Sequence, residues 1–187
     1  DERFLDETNL ILRLSAGSFG GKGRGISFIN TLLQNKEVFE GIDSNLIKIP
    51  RTAIIGADEY DSFVSRNALS KSYLNHEYDE LKKIFLSSHL SPELMKKLRS
   101  YLEKVKVPLA VRSSGMFEDS ISESFSGIYQ TFLIPNNHPS IEERLKNLTD
   151  GIKLIYASIY SKHARSYFEA INYRIEDEKM AVVIQEM

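Results

Sequence analysis

The sequence predicts an α+β domain: a mostly antiparallel sheet with helices packed on it, helix exceeding strand. Three observations predict this. An apolar run, Val107 to Val111, has the length of a buried strand, and beyond a polar loop the alternating segment Ile128 to Leu133 returns as a second strand. Residues 57–105 and 140–171 place apolar side chains at helical spacing over most of their length. A last apolar run, Ala181 to Met187, adds a further strand.

Composition narrows the function classes. The chain has 187 residues, 42% of them hydrophobic and 27% charged, which suits a soluble domain with a real core. A formal net charge of −2 supplies no basic footprint for nucleic acid. No apolar run approaches the roughly 20 residues of a membrane span, and no leader pattern opens the chain. The absence of cysteine removes disulfides, thiolate metal sites and thiol catalysis, and fits a reducing cytoplasm. His76, His89, His138 and His163 share no metal-like spacing. The start at Asp1 and the strand-like end at Met187 predict a piece of a longer protein.

Taken in order, Asp1 to Leu14 reads as a lead-in of either helix or strand. Ser15 to Gly25 is a glycine-rich loop leading into a helix with Ile26, Ile29, Leu32 and Leu33 on one side. Such a loop allows close backbone approach, its helix start presents N–H groups, and Lys22 supplies a point charge for phosphate. It is neither a P-loop, which needs Gly at Ala16 and Ser or Thr at Gly23, nor a dinucleotide fingerprint, which needs Gly at Ile26. Ile47 to Ile55 is a strand entered through Pro50, and Gly56-Ala57-Asp58 opens a helix with Tyr60, Phe63 and Val64 on one face. Ser91-Pro92-Glu93 starts another, with Leu94, Leu98 and Leu102 as its stripe. Ser140 and Glu143 form a capping box before Ile141, Leu145, Leu148, Ile152, Ile155 and Ile159. Ser161 caps a second helix.

The stretch with most chemistry is Ala110 to Phe132. Arg112 stands at the end of a buried strand and is followed by Ser113 and Ser114. A guanidinium there presents a planar fork of donors to phosphate oxygens. A hairpin with a solvated loop and a structural Arg–Glu pair is the plain alternative.

Ala110-Val-Arg-Ser-Ser114, Glu118-Asp119, Ser124-Phe-Ser-Gly127 and Gln130-Thr-Phe-Leu133 stand in the order and spacing of one long pattern. It resembles the nucleotide-binding domain of the phosphoenolpyruvate synthase and pyruvate, phosphate dikinase family, a domain type shared by rifampin phosphotransferase and the glucan and water dikinases. Gly20-Gly21-Lys22 and Ile184-Gln185-Glu186-Met187 match the same family, so the resemblance runs from Gly20 to Met187.

The resemblance implies an ATP-grasp-type fold. Residues 1–187 would be one fragment of that nucleotide-binding domain, with the glycine loop and a helical lobe in 1–106 and the nucleotide-facing sheet in 107–187. It implies that Lys22 and Arg112 bind ATP phosphates. Gly127 and Thr131 would approach the nucleotide from the returning strand, and Gln185 would meet the adenine. It implies Mg2+ held by acids beyond Met187, a swivelling phosphohistidine domain and a pyruvate-binding domain, also outside the chain. The parent would convert ATP to AMP and pass one phosphoryl group through histidine to pyruvate, with the fragment alone inactive. A rifampin or glucan acceptor would use the same N-terminal half. The chain departs from the pattern at Gly115-Met116-Phe117 and Ile128-Tyr129-Gln130. Those departures allow an alternative, a nucleotide-sensing or structural module without catalysis, against which the retained Lys22 and Arg112 speak.

Overall fold

The structure, a computed structural model, describes residues 10–34, 47–69, 76–116 and 128–187. Five strands form one sheet: β1 (Ile11–Arg13), β2 (Thr52–Ile55), β3 (Leu109–Gly115), β4 (Thr131–Ile134) and β5 (Met180–Glu186). Their order is β1-β2-β5-β3-β4. Among the described strands only β1 and β2 are parallel, and the crossover that a parallel pair requires includes helix α1 (Gly20–Gln34). The pairs β2–β5, β5–β3 and β3–β4 are antiparallel. Five more α-helices follow in the described residues, α2 (Ala57–Arg66), α3 (Tyr78–Ser87), α4 (Pro92–Lys104), α5 (Ile141–Ser158) and α6 (Lys162–Ala170), and a short 3-10 turn, Ile175–Asp177, precedes β5. The mixed, mostly antiparallel and helix-rich architecture is the one the periodicities predict. β1 and β2, from before residue 107, lie in the same sheet as β3, β4 and β5. No helix among the described residues is long and apolar enough to cross a membrane.

Alternation along the strands gives the sheet two unlike faces. One carries Leu14, Ala53, Ile55, Leu109, Val111, Met180, Val182 and Ile184, all in the main core. α2, α4 and α5 supply the other half of that core through Phe63, Leu94, Leu98, Leu102, Leu148, Ile152 and Ile155, each no more than 1% exposed. The predicted stripes of α4 and α5 are therefore the buried ones. Phe63, Phe85 and Tyr156 meet there as a ring cluster, with centroids 5.6 and 5.3 Å from Phe63. The opposite face carries Thr52, Ile54, Ala110, Arg112, Ser114, Thr131, Leu133, Val183 and Gln185, as the register dictates. α1 packs on this second face against β3 and β5.

Four elements differ from expectation. α1 begins at Gly20, so Gly20 to Gly25 are helix, not loop; Gly20, Gly21 and Gly23 are buried, and the absent side chains let the helix start lie on the sheet. Of its expected apolar side, Ile29 is 48% exposed. The strand around Pro50 is limited to Thr52–Ile55, since proline has no N–H for the ladder. The returning strand starts at Thr131, after a turn at Ile128–Tyr129. Ser140 occupies the N-cap of α5 but its side chain makes no cap bond; its N–H donates instead to His138 Nδ1 at 3.1 Å, which closes the turn locally. Ser91 and Ser161 do cap, accepting from Leu94 and Ala164 N–H.

A buried polar knot ties the entry of β3 to the exit of β4. Asn136, in the left-handed region at φ 53°, donates from Nδ2 to Val105 O and Val107 O, both at 3.0 Å. Arg144 Nη1 donates to Leu102 O at 2.9 Å and Val105 O at 3.2 Å, and reaches Asn136 Oδ1 at 3.3 Å. Asn136→Ala should cost about 3 kcal/mol, from the lost Nδ2 bonds to Val105 O and Val107 O, of which only Val105 O keeps a partner in Arg144, and from a left-handed alanine. Asn136→Gly should recover about 1 kcal/mol of it. Urea unfolding with an unchanged denaturant slope checks both values.

Candidate functional site

On the face that also carries α1, Arg112, Thr131 and Gln185 lie together. β3 is central in the sheet, so Arg112 has a strand on each side: Val183 of β5 and Thr131 of β4 are its cross-strand partners. Thr131 is exposed, and its side chain lies beside that of Arg112 on the same face. Gln185, paired with Ala110 two residues along, turns its side chain toward the arginine. Arg112 Nη1 donates to Gln185 Oε1 at 2.9 Å. Two residues 73 apart in sequence thereby fix each other. The bond uses one of the guanidinium's five donors.

The second part of the site is the start of α1. Ser114 lies two residues along β3 from Arg112, a step of about 7 Å. Its Oγ donates to Phe19 O at 2.7 Å and accepts the Gly23 N–H at 3.0 Å, so one hydroxyl bridges loop and helix. Gly20 sits directly over this strand. A Cβ there would lie 1.9 Å from Ser114 O, and its φ of +66° is left-handed. Lys22, half-buried, is the third residue of α1. The first turn holds no acidic residue, so the helix dipole and the Lys22 charge both make this helix start positive. Arg24, one turn on, donates from Nη2 to Met116 O at 3.5 Å and ties α1 to the end of β3.

Lys22, Arg112, Thr131 and Gln185 thus occupy one face of the sheet and the helix that rests on it. Gly127 lies outside the described residues. The arrangement can hold a polyanion: a bidentate guanidinium, an ammonium and a helix start are the groups phosphate oxygens need. Three residues of this region escaped the sequence analysis. Ser114 was visible only as one of several hydroxyls. Arg24 lies among glycines that read as loop. Glu178 sits in the run Glu176-Asp177-Glu178-Lys179, which reads as solvated surface, yet it is 1% exposed. Burial pushes its carboxyl up to about 7, against the lesser pull of the Tyr129 hydroxyl and the Met116 N–H toward the charged form.

Gly20→Ala should prevent α1 from seating on Ser114. We expect at least a tenfold loss of affinity for a triphosphate in the full-length protein, with the aromatic core around Phe63 intact by near-ultraviolet circular dichroism. Unchanged affinity would show that the helix start is not part of the site.

Comparison with known proteins assigns the chain to a family. The sequence profile of the family described as "Pyruvate phosphate dikinase, AMP/ATP-binding domain" matches residues 16–187. An uncharacterized phosphotransferase, YvkC, of Bacillus subtilis is 30% identical over 148 residues, covering 75% of this chain and 17% of that protein. The phosphoenolpyruvate synthase of Deinococcus radiodurans is 25% identical over 170 residues, covering 81% of this chain and 20% of the synthase. The phosphoenolpyruvate synthase of Aeropyrum pernix is 25% identical over 164 residues, covering 75% and 19%. The chain therefore spans about a fifth of the length of these relatives. With the matched region running from the glycine loop through Arg112 to Gln185, the chain belongs to the pyruvate phosphate dikinase AMP/ATP-binding domain family.

Proposed function

We propose that this chain is the ATP-binding portion of a dikinase-type phosphotransferase with an ATP-grasp-type fold, and that its parent is a phosphoenolpyruvate synthase or a pyruvate, phosphate dikinase. The observation that carries the reading is the Arg112–Gln185 bond beside the Gly20-Gly21-Lys22 helix start, on one face of the sheet. The two relatives named as phosphoenolpyruvate synthases support pyruvate as the acceptor.

Phosphoryl transfer asks little covalent work of a protein; it asks for positioning and charge. Arg112 takes two phosphate oxygens with its fork, and Gln185 holds the guanidinium in plane for that contact. Lys22 and the α1 N–H groups neutralise the remaining charge. Thr131 offers a hydroxyl beside Arg112, and Gly127 a close backbone approach. The Gln185 strand meets the edge of the adenine. Among the described residues no group of three His, Cys, Asp or Glu side chains could hold a metal ion. Mg2+ is commonly held by one or two carboxylates together with the nucleotide's own phosphates, and the resemblance assigns those acids to the rest of the parent. The phosphohistidine and the pyruvate site are assigned there as well.

Supplied with ATP, Mg2+ and pyruvate, the full-length protein should release AMP only when pyruvate is present. AMP without dependence on pyruvate would keep the dikinase cycle and point to a rifampin, glucan or other acceptor. ADP alone, or no turnover, would leave a nucleotide-sensing or structural module. Arg112→Ala should lower turnover about 10²-fold or more while the protein stays folded; unfolding of that variant would make Arg112 structural instead.

A further inference from the structure

The end of β3 is gripped from both sides. On the α1 side, Arg24 Nη2 donates to Met116 O at 3.5 Å. On the core side, Glu178 Oε1 accepts the Met116 N–H at 3.2 Å. The same oxygen lies 2.5 Å from where a Cβ on Gly115 would stand, so the carboxyl occupies the space of the missing side chain. Gly115 in turn pairs with Met180, two residues beyond Glu178, at the first rung of β5. One buried carboxyl thus fixes the last residues of the strand that carries Arg112 and Ser114.

We propose that Glu178 is a positioning residue for the nucleotide site: by filling the space under Gly115 and holding the Met116 N–H, it sets where β3 ends and so seats α1 on Ser114. The inference rests on the nucleotide reading given above. Glu178 touches no substrate. It acts through Met116 and Ser114.

The surroundings of the carboxyl make this grip sensitive to protonation. Tyr129 before β4, Tyr173 after α6 and Tyr60 on α2 face it, and burial raises the hydroxyl of each. Its charged chain neighbours are turned elsewhere: Asp177 pairs with Arg174, and Lys179 with Asp61. Among the described residues, no cation pairs with Glu178; the Tyr129 hydroxyl and the Met116 N–H are the only groups that favour its charged form, and burial outweighs them. A protonated carboxyl fits here, one oxygen accepting from Met116 while the other carries the proton. An ionised one brings an uncompensated charge into a buried pocket. The folded value of about 7 lies above the ordinary 4.5, so the neutral form's contribution to stability is complete below about 4.5 and lost as pH rises through about 7. A polyanion bound across the strand opposes the same charge, so binding is also strongest with Glu178 protonated.

The test is equilibrium binding of a slowly hydrolysed ATP analogue to the full-length protein between about pH 6 and pH 8.5. The Glu178→Gln variant is measured beside the wild type, because the ratio of the two cancels the titration of the nucleotide itself. The glutamine amide keeps an acceptor for Met116 and carries no charge. We expect the two to agree within about twofold near pH 6, and the wild type to fall behind by roughly 3- to 10-fold near pH 8.5, the equivalent of a coupling of about half to one pKa unit. A ratio constant with pH overturns the proposal. The second arm is a double-mutant cycle: Gly115→Ala and Glu178→Ala should each weaken binding, and Gly115→Ala should cost less once Glu178 is gone, because the nearest obstacle to its Cβ, Glu178 Oε1 at 2.5 Å, is then removed and only Tyr129 Cε2 at 3.1 Å remains. Additive losses, or a lowered melting temperature with nucleotide affinity unchanged, assign Glu178 to stability alone and overturn the proposal while leaving the nucleotide site standing. A wild type that binds no nucleotide at any pH overturns both readings together.

Discussion

The close approach of α1 to β3 is the constraint on which the site depends. A helix start can lie on a strand only if its first residues have no side chains and the strand offers something to hold it. Gly20 meets the first condition, with Ser114 O where its Cβ would be. Ser114 meets the second, its hydroxyl shared between Phe19 O and the Gly23 N–H. Because the oxygen is buried, each of these bonds removes a polar group that would otherwise be left unpaired at a cost of about 1–3 kcal/mol. The contact sets the register of Lys22 and Arg24 relative to Arg112, which lies on the same strand.

Sheet order then completes the constellation. β5 is the last strand in the chain, yet it enters between β2 and β3, and all its residues through Gln185 are buried. That insertion places Gln185 against Arg112, and the antiparallel return of β4 places Thr131 on the other side. The core face of the same strands holds the apolar side chains that meet α2, α4 and α5. The division of labour is enforced by the pleat: a one-residue slip of β3 would send Arg112 into the core and Val111 into solvent. The polar knot of Asn136 and Arg144 resists such a slip, since it pins the backbone just before β3 to the segment just after β4.

Much of this was legible in the sequence, and for identifiable reasons. α4 and α5 declared themselves through Leu94, Leu98, Leu102 and the Ile/Leu repeat from Leu145 to Ile159, because burial on one side of a long helix leaves a periodic trace. Arg112, Gln185 and Lys22 were singled out because their neighbours form an ordered pattern, and the structure brings Arg112 and Gln185 into contact. What escaped were interactions between distant segments that leave no periodic trace. The start of α1 was placed too late, since glycines suggest a loop and only the docking on Ser114 explains why they are helical here. The Ser140 capping box followed a local rule that the adjacent His138 overrides. Nothing in the sequence singled out Arg144 or Glu178, and both are buried, at 7% and 1% exposure, because the groups they bond come from other elements.

The most direct test of this account is an experimental structure of the full-length protein with a slowly hydrolysed ATP analogue. The account predicts phosphate oxygens within hydrogen-bond distance of the Arg112 guanidinium and the first turn of α1, with the base beside Gln185. A cavity of about 380 Å3, lined by Arg13, Asp58, Glu59, Ser91 and Lys97, lies beside the end of β1, away from Arg112. A nucleotide found there, or anywhere that leaves Arg112 and Gln185 bonded only to each other, would contradict the account.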